Sequence, residues 1–343
     1  ADYVQLPYGQ IALKAVLPAL LYFTGIFISV HLEAKKVGLK GLPKEELPKL
    51  KPLLKKSYLL LPLVLLIYLV STSQKSIQYA AALSIVACIV VTLFSRETRI
   101  TPMRLLEALA AGGQGSITVA AACGIAGIIA GTITMTGLAN VIINGIVVLA
   151  GDSVLIALFL TMICCIVLGM GVPTTATYCI MAATCAPILV RMGVPMVAAH
   201  FFVFYFGIVA DLTPPVALAA YAGAAIAQAN PMKTAIQATK LAIGAFIVPY
   251  AFALSPSMLL IDTTAMEVIL ITITSLIGIA SVSAAMEGYI MGNLNWLQRG
   301  LMLVGGLMMI YPGVTTDAIG IALSGAVVVL KLVQNKKMKA QLA

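Results

Sequence analysis

The sequence predicts an all-α polytopic membrane protein with one re-entrant helical hairpin and one broken helix. Three observations carry that expectation. The 343 residues are 61% hydrophobic and 10% charged, with a mean hydropathy of +1.07, far from soluble composition. Long apolar runs recur along almost the whole length. Two stretches break such runs from within: Gly169-Met170-Gly171-Val172-Pro173-Thr174-Thr175, and Asp211-Leu212-Thr213-Pro214-Pro215. Proline cannot donate the intrahelical hydrogen bond, and glycine frees the chain to turn. Backbone groups released inside hydrocarbon must be buried in protein or line a wet cavity. Paired breaks of this kind point to the substrate and ion site of a transporter.

Charge sets the topology. Lys35, Lys36, Lys40, Lys44, Lys49, Lys51, Lys55 and Lys56 sit in one loop, and Lys331, Lys336, Lys337 and Lys339 in the C-terminal tail. The net charge of +9 therefore reads as a topology signal that places the 33–56 loop and the tail in the cytoplasm. Nucleic-acid binding is a poor alternative, because no soluble domain carries a basic face.

A spanning helix needs about 20 mainly apolar residues. Residues 11–31 meet this and run into the Lys-rich loop, which Pro43, Pro48 and Pro52 keep irregular. Residues 58–70 return outward to a turn at 71–76, and 77–94 go back in to Arg96, Arg99 and Arg104. Residues 103–111, after Thr101-Pro102, read as an amphipathic helix on the inner surface. Residues 115–134 span outward through small residues, and 137–151 are short enough to lie along the outer face. Residues 153–168 enter the membrane and 180–190 leave it, so the Gly/Pro/Thr break between them is the tip of a re-entrant hairpin. Residues 198–210 run inward, break at Asp211–Pro215 and finish as 216–227. Residues 235–254, 269–285, 301–310 and 318–330 complete the helices. With the hairpin counted as re-entrant, every basic cluster falls inside.

Between Ala108 and Pro231 only Asp152, Arg191, His200 and Asp211 can carry charge. Asp152 and Arg191 fall at the hairpin ends, where interface placement explains them. His200 is open to a structural role or a proton relay. An acid at the depth of Asp211 costs ~3 kcal/mol or more and is a functional-site hypothesis by default. A cap on the following half-helix is its other reading. Thr174, Thr175, Thr177 and Thr213 supply hydroxyls and the broken turns supply carbonyls, oxygen donors suited to a hard cation such as sodium. Back-bonding to the preceding turn is the bland alternative. Half-helix N-termini suit an anionic substrate. Gly131-Thr-Ile-Thr-Met-Thr-Gly137 is either a helix end at the outer surface or a further break. The six cysteines lie in apolar segments, read as small core residues. No elbow serine, zinc pair or Walker loop appears, which argues against an enzyme.

Leu168-Gly-Met-Gly-Val-Pro-Thr-Thr-Ala-Thr-Tyr178, Ala186-Pro187, Gly193-Val-Pro195, His200-Phe201 and Asp211-Leu-Thr-Pro-Pro-Val216 resemble the large membrane subunit of TRAP transporters. The nearest resemblance is to the fused 4TM/12TM permeases that work with a TAXI-type periplasmic binding protein. The segment from Val30 to Pro43 is similar to the linker between that family's two repeats. Tyr289, Arg299 and Pro312-Gly-Val-Thr-Thr-Asp317 are similar to its C-terminal extension. The resemblance implies an elevator-type secondary transporter of the ion-transporter superfamily type. It would import a small carboxylate-type organic anion with a sodium gradient, across the inner (cytoplasmic) membrane of a bacterium or archaeon. It also implies that Gly169, Gly171, Pro173, Thr174, Thr175, Asp211, Thr213, Pro214 and Pro215 form one sodium site and half of a substrate site. Gly169, Thr174, Asp211 and Thr213 would hold the coupling ion, with no other cofactor.

The family has two inverted repeats, and only one hairpin with its broken helix is found here. The expectation is a C-terminal part, the second repeat, which works with the first repeat and the small-subunit region. Its divisions are 1–32 as the last helix of the first repeat, 33–56 as linker and 57–111 as scaffold and inner-surface helix. Residues 112–260 form the transport region, with the hairpin at about 153–191 and the broken helix at about 198–227, and 261–343 the C-terminal extension. The alternatives are a directly binding sodium- or proton-coupled carboxylate symporter, and a non-transporting membrane anchor subunit.

Overall fold

A computed structural model describes residues 1–43, 45–47, 49–72, 76–94, 99–311 and 313–342. Lys44, Pro48, residues 73–75 of the expected turn, Arg96, Pro312 and the side chains of Lys337 and Lys339 lie outside the described residues. The chain is all-α and polytopic. Among the described residues, Tyr8–Lys36, Pro231–Leu254, Ala265–Glu287 and Val314–Lys336 are long and apolar enough to cross a membrane. Contacts group the chain into two compact units, residues 1–13 with 40–121, and residues 14–39 with 122–343.

The first unit holds the start of α1 (Tyr8–Lys36), α2 (Leu50–Lys55), a 3-10 turn, α3 (Leu61–Ser71), α4 (Ile77–Thr92) and the start of α5 (Pro102–Met135). α3 packs along α4. Ser76 caps α4 by accepting from the Tyr79 amide at 3.2 Å, which satisfies one of the free donors of a helix start. α5 corrects an expectation. The sequence suggests an amphipathic helix ending at Ala111 and a separate span from Gly115, but Pro102–Met135 is one helix. Gly112, Gly113 and Gly115 lower helix propensity without removing a hydrogen bond, and no proline stands there to interrupt the ladder.

The second unit continues with α6 (Leu138–Ala150), α7 (Val154–Gly169), α8 (Thr174–Thr184), α9 (Ala186–Arg191), α10 (Met196–Val209) and α11 (Leu218–Ala227). It ends with α12 (Pro231–Leu241), α13 (Ile243–Leu254), α14 (Ala265–Glu287), α15 (Trp296–Met308) and α16 (Val314–Leu342). Gly137, left-handed at φ 71°, turns the chain by 71° between Cys123–Met135 and α6. α5 thus ends within the Gly131–Gly137 stretch and the chain bends there into α6. The expected span from Ala235 lies within Pro231–Leu254, where a one-residue irregularity at Ala242 divides α12 from α13 without ending the span. Ser29 and Ser283 join α1 to α14 by a buried 3.0 Å bond. Lys14 Nζ donates to the carbonyls of Leu259 (3.2 Å) and Leu260 (3.1 Å).

Helices α14, α15 and α16 approach backbone to backbone. A Cβ on Gly306 would lie 2.7 Å from the Gly278 carbonyl oxygen, and one on Gly320 would lie 2.5 Å from that of Gly305. Small residues allow such approach in membranes, and no flexible side chain can yield there. Gly306→Ala is expected to lower stability by about 1–3 kcal/mol through overpacking. Gly300→Ala, whose Cβ meets nothing within 4 Å, should leave the thermal midpoint unchanged or raised. Equal midpoints for the two variants would refute the close approach.

Candidate functional site

α7 and α8 lie side by side as the two arms of a hairpin, and Cys185, where α8 passes into α9, places its thiol 3.6 Å from Cys164 on α7. The tip is short because Gly171 adopts φ 71° and Pro173 precedes the first turn of α8 with φ −56° and ψ 141°. Proline is suited to a helix start, where its missing N–H costs nothing. Buried Thr177 ties the tip down, its hydroxyl donating to the Val172 carbonyl at 3.1 Å.

The second break has a different build. α10 tightens into a 3-10 turn at Ala210–Leu212, Thr213 is extended (φ −100°, ψ 137°), and α11 starts after Ala217, which is left-handed at φ 38°. The Pro214–Pro215 peptide is cis. Buried Thr213 donates its hydroxyl to the Ala210 carbonyl at 3.2 Å, so the back-bonding reading holds for it. The Pro215 carbonyl accepts from the Tyr221 hydroxyl at 2.8 Å, and the Leu212 carbonyl from Thr239 on α12 at 3.1 Å. Asp211 is half-buried. It does not cap α11, whose start has no side-chain cap. Leu212 to Ala217 separate it from the amides of α11, too far along a bent chain for a capping bond.

The structure brings the two breaks together. A Cβ on buried Gly169 would sit 2.9 Å from Ala210 Cβ and 3.0 Å from the Gly207 carbonyl oxygen. One on Gly207 would sit 3.1 Å from Thr177 Cγ2 and 3.2 Å from Met181 Sδ. The end of α7 and the first turns of α8 therefore rest on the last turn of α10. An added Cβ at Gly171 would have Val216 Cγ1 at 4.0 Å, so this residue too lies against the second break. Thr174 and Thr175 stand exposed in the first turn of α8 and are not drawn into that contact. Pro214 lines a cavity of about 400 Å³ with Thr239, Lys240 and Phe246. Sequence reasoning missed Gly207 and Ala210, and a glycine one turn before an intramembrane acid was the available signal.

Two further pairs support this region. The Tyr178 hydroxyl lies 2.9 Å from Nδ1 of buried His200, joining α8 to α10. Lys240 on α12, the neighbour of Thr239, pairs with Glu287 at 2.6 Å, and the Glu287 side chain is 0% exposed.

Residues 1–266 match the family model described as Tripartite ATP-independent periplasmic transporter, DctM component. The chain belongs to the DctM family. The match contains the hairpin and the broken helix, and the rest of α14 with α15 and α16 lies beyond it. No curated protein and no solved structure matches the chain. DctM proteins are membrane permeases of TRAP-type secondary transporters, not enzymes, and work with a periplasmic binding protein and a small membrane subunit. Family and apolar helices together make this DctM protein a multi-pass protein of the inner membrane.

Proposed function

We propose that this DctM-family chain imports a small carboxylate-type organic anion by an elevator movement driven by a sodium gradient, receiving it from a TAXI-type periplasmic binding protein. Gly169–Thr175 and Asp211–Pro215 form one sodium site and one half of the substrate site. The observation that carries this reading is the seating of the hairpin tip on the last turn of α10, with Gly169 against Ala210 and Gly207. Two interrupted backbones at one place concentrate oxygen donors and helix ends where hydrocarbon would otherwise exclude them.

The donor set fits a hard cation. Thr213 spends its hydroxyl proton on the Ala210 carbonyl, which leaves its oxygen lone pairs free to face an ion. The Asp211 carboxylate adds the charge. A sodium ion held there would supply the coupling charge, and its downhill movement would drive import.

The test is the thermal midpoint of the detergent-solubilised chain with sodium chloride against choline chloride at equal ionic strength. A bound ion stabilises by RT ln(1 + [L]/Kd), about 2.7 kcal/mol at a hundredfold excess over Kd. A sodium-specific rise that vanishes in Asp211→Ala/Thr213→Ala is expected, together with loss of sodium-driven uptake when that variant works with its binding protein. A rise that persists unchanged in the double variant overturns the site.

A further inference from the structure

One end of the second unit carries the chain's single tryptophan at a level that several helices define independently. The candidate spans α1 and α14 end at Lys36 and Glu287, and α16 carries Lys331, Asn335 and Lys336 in the second half of its length. Side chains tie these ends together. Lys240 of α12 meets Glu287 of α14 at 2.6 Å. Lys331 Nζ donates to the Asn293 carbonyl at 2.5 Å, and Asn335 Nδ2 to that of Met291 at 2.7 Å. Leu32 of α1 packs with Leu294 and Ile290. The segment between α14 and α15 therefore lies where hydrocarbon meets water.

At that level Trp296 is 83% exposed and Leu297 is 73% exposed at the start of α15. Two large apolar side chains turned outward beside each other are out of place in water and suited to a lipid boundary. The indole is held in place, because the Arg299 guanidinium carbon lies 4.9 Å from its ring centre. Arg299 itself is fixed by donating to the carbonyls of Ala285 (2.8 Å) and Met286 (3.2 Å). The charges at this end are unbalanced. Glu287 is paired with Lys240 and Glu33 with Lys36, while Lys35, Arg299, Lys331 and Lys336 have no ion-pair partner among the described residues.

We propose that Trp296 and Leu297 insert into the headgroup layer of the membrane, and that the cations at this end bind the phosphodiester anions of acidic phospholipids there. An indole, with an apolar body and one N–H donor, favours that layer. Basic side chains at the surface enrich acidic lipids around it.

The sole tryptophan makes the wild-type chain its own probe. The full chain is placed in lipid nanodiscs in which a fixed fraction of the lipid is brominated near the headgroup end of its acyl chains. That lipid is either phosphatidylglycerol or phosphatidylcholine. Expected are quenching by both, about twofold stronger from the acidic lipid at low salt, convergence of the two at high salt, and weak quenching by aqueous iodide. Lys35→Gln/Lys336→Gln should shrink the difference between lipids without changing the emission maximum. Equal quenching by the two lipids at low salt overturns the acidic-lipid site. Strong iodide quenching with no bromine effect places the ring in water, and insensitivity to both places it under protein. Either result overturns the insertion.

Discussion

Lys240→Met is expected to cost about 3–5 kcal/mol of stability, because it strands a buried carboxylate. The Glu287 side chain is 0% exposed, against 24% for that of Lys240. One Glu287 oxygen takes Lys240 Nζ, and a second acid, Glu33, lies within hydrogen-bonding reach of the same side chain. Lys36 is engaged with Glu33 at 3.4 Å. The two single variants are therefore unequal. Glu287→Gln removes the buried charge and leaves a lysine that can extend its ammonium toward water, so it should cost less than Lys240→Met. Replacing both, as Lys240→Met/Glu287→Leu, should recover most of the loss, since apolar pairs often match a buried ion pair. Thermal midpoints of the four proteins in one detergent decide this. A double variant less stable than Lys240→Met would show that the pair contributes more than charge neutralisation. The effect should also reach the second break, because Thr239 beside Lys240 holds the Leu212 carbonyl.

The two breaks were legible in the sequence because their cause is local. Proline at 173, 214 and 215 and glycine at 169 and 171 act through the backbone at their own positions, and the structure interrupts its helices there. Long-range choices were not legible. Gly207 sits inside an apolar run, and nothing near it in sequence says that Gly169 will rest on it. Lys240 and Glu287 are 47 residues apart, and nothing near either in sequence names the other as its partner. A break can also be suggested where none forms. The glycines at 112, 113 and 115 announce one that does not occur, since glycine permits a break without requiring it. The role of Asp211 divided in the same way. Its depth was visible, but whether α11 lay within reach of its carboxylate depended on the path through Thr213–Ala217.

Gly169→Ala is expected to separate the hairpin tip from the broken helix, and Ala210→Gly to restore part of the contact. At Gly169 the added methyl would meet Ala210 Cβ at 2.9 Å, the Gly207 carbonyl oxygen at 3.0 Å and Met181 Cε at 3.3 Å. Only the methionine tip can move aside without backbone movement, so the cost is that of an overpacked core, about 1–3 kcal/mol. Ala210→Gly removes the nearest of the three atoms and leaves the Gly207 oxygen, so Gly169→Ala/Ala210→Gly should regain part of the lost stability. The gain is offset by about 1 kcal/mol for glycine in a helical turn. Gly127→Ala is the contrast, because its Cβ meets nothing within 4 Å and should stabilise the helix by up to about 1 kcal/mol. The same contact is what the proposed sodium site requires, so Gly169→Ala should also lose the sodium-specific rise in thermal midpoint, and the double variant should regain some of it. If Gly169→Ala unfolds at the wild-type midpoint, the tip does not rest on α10. If it is destabilised but keeps the full sodium response, the contact stands and the ion lies elsewhere.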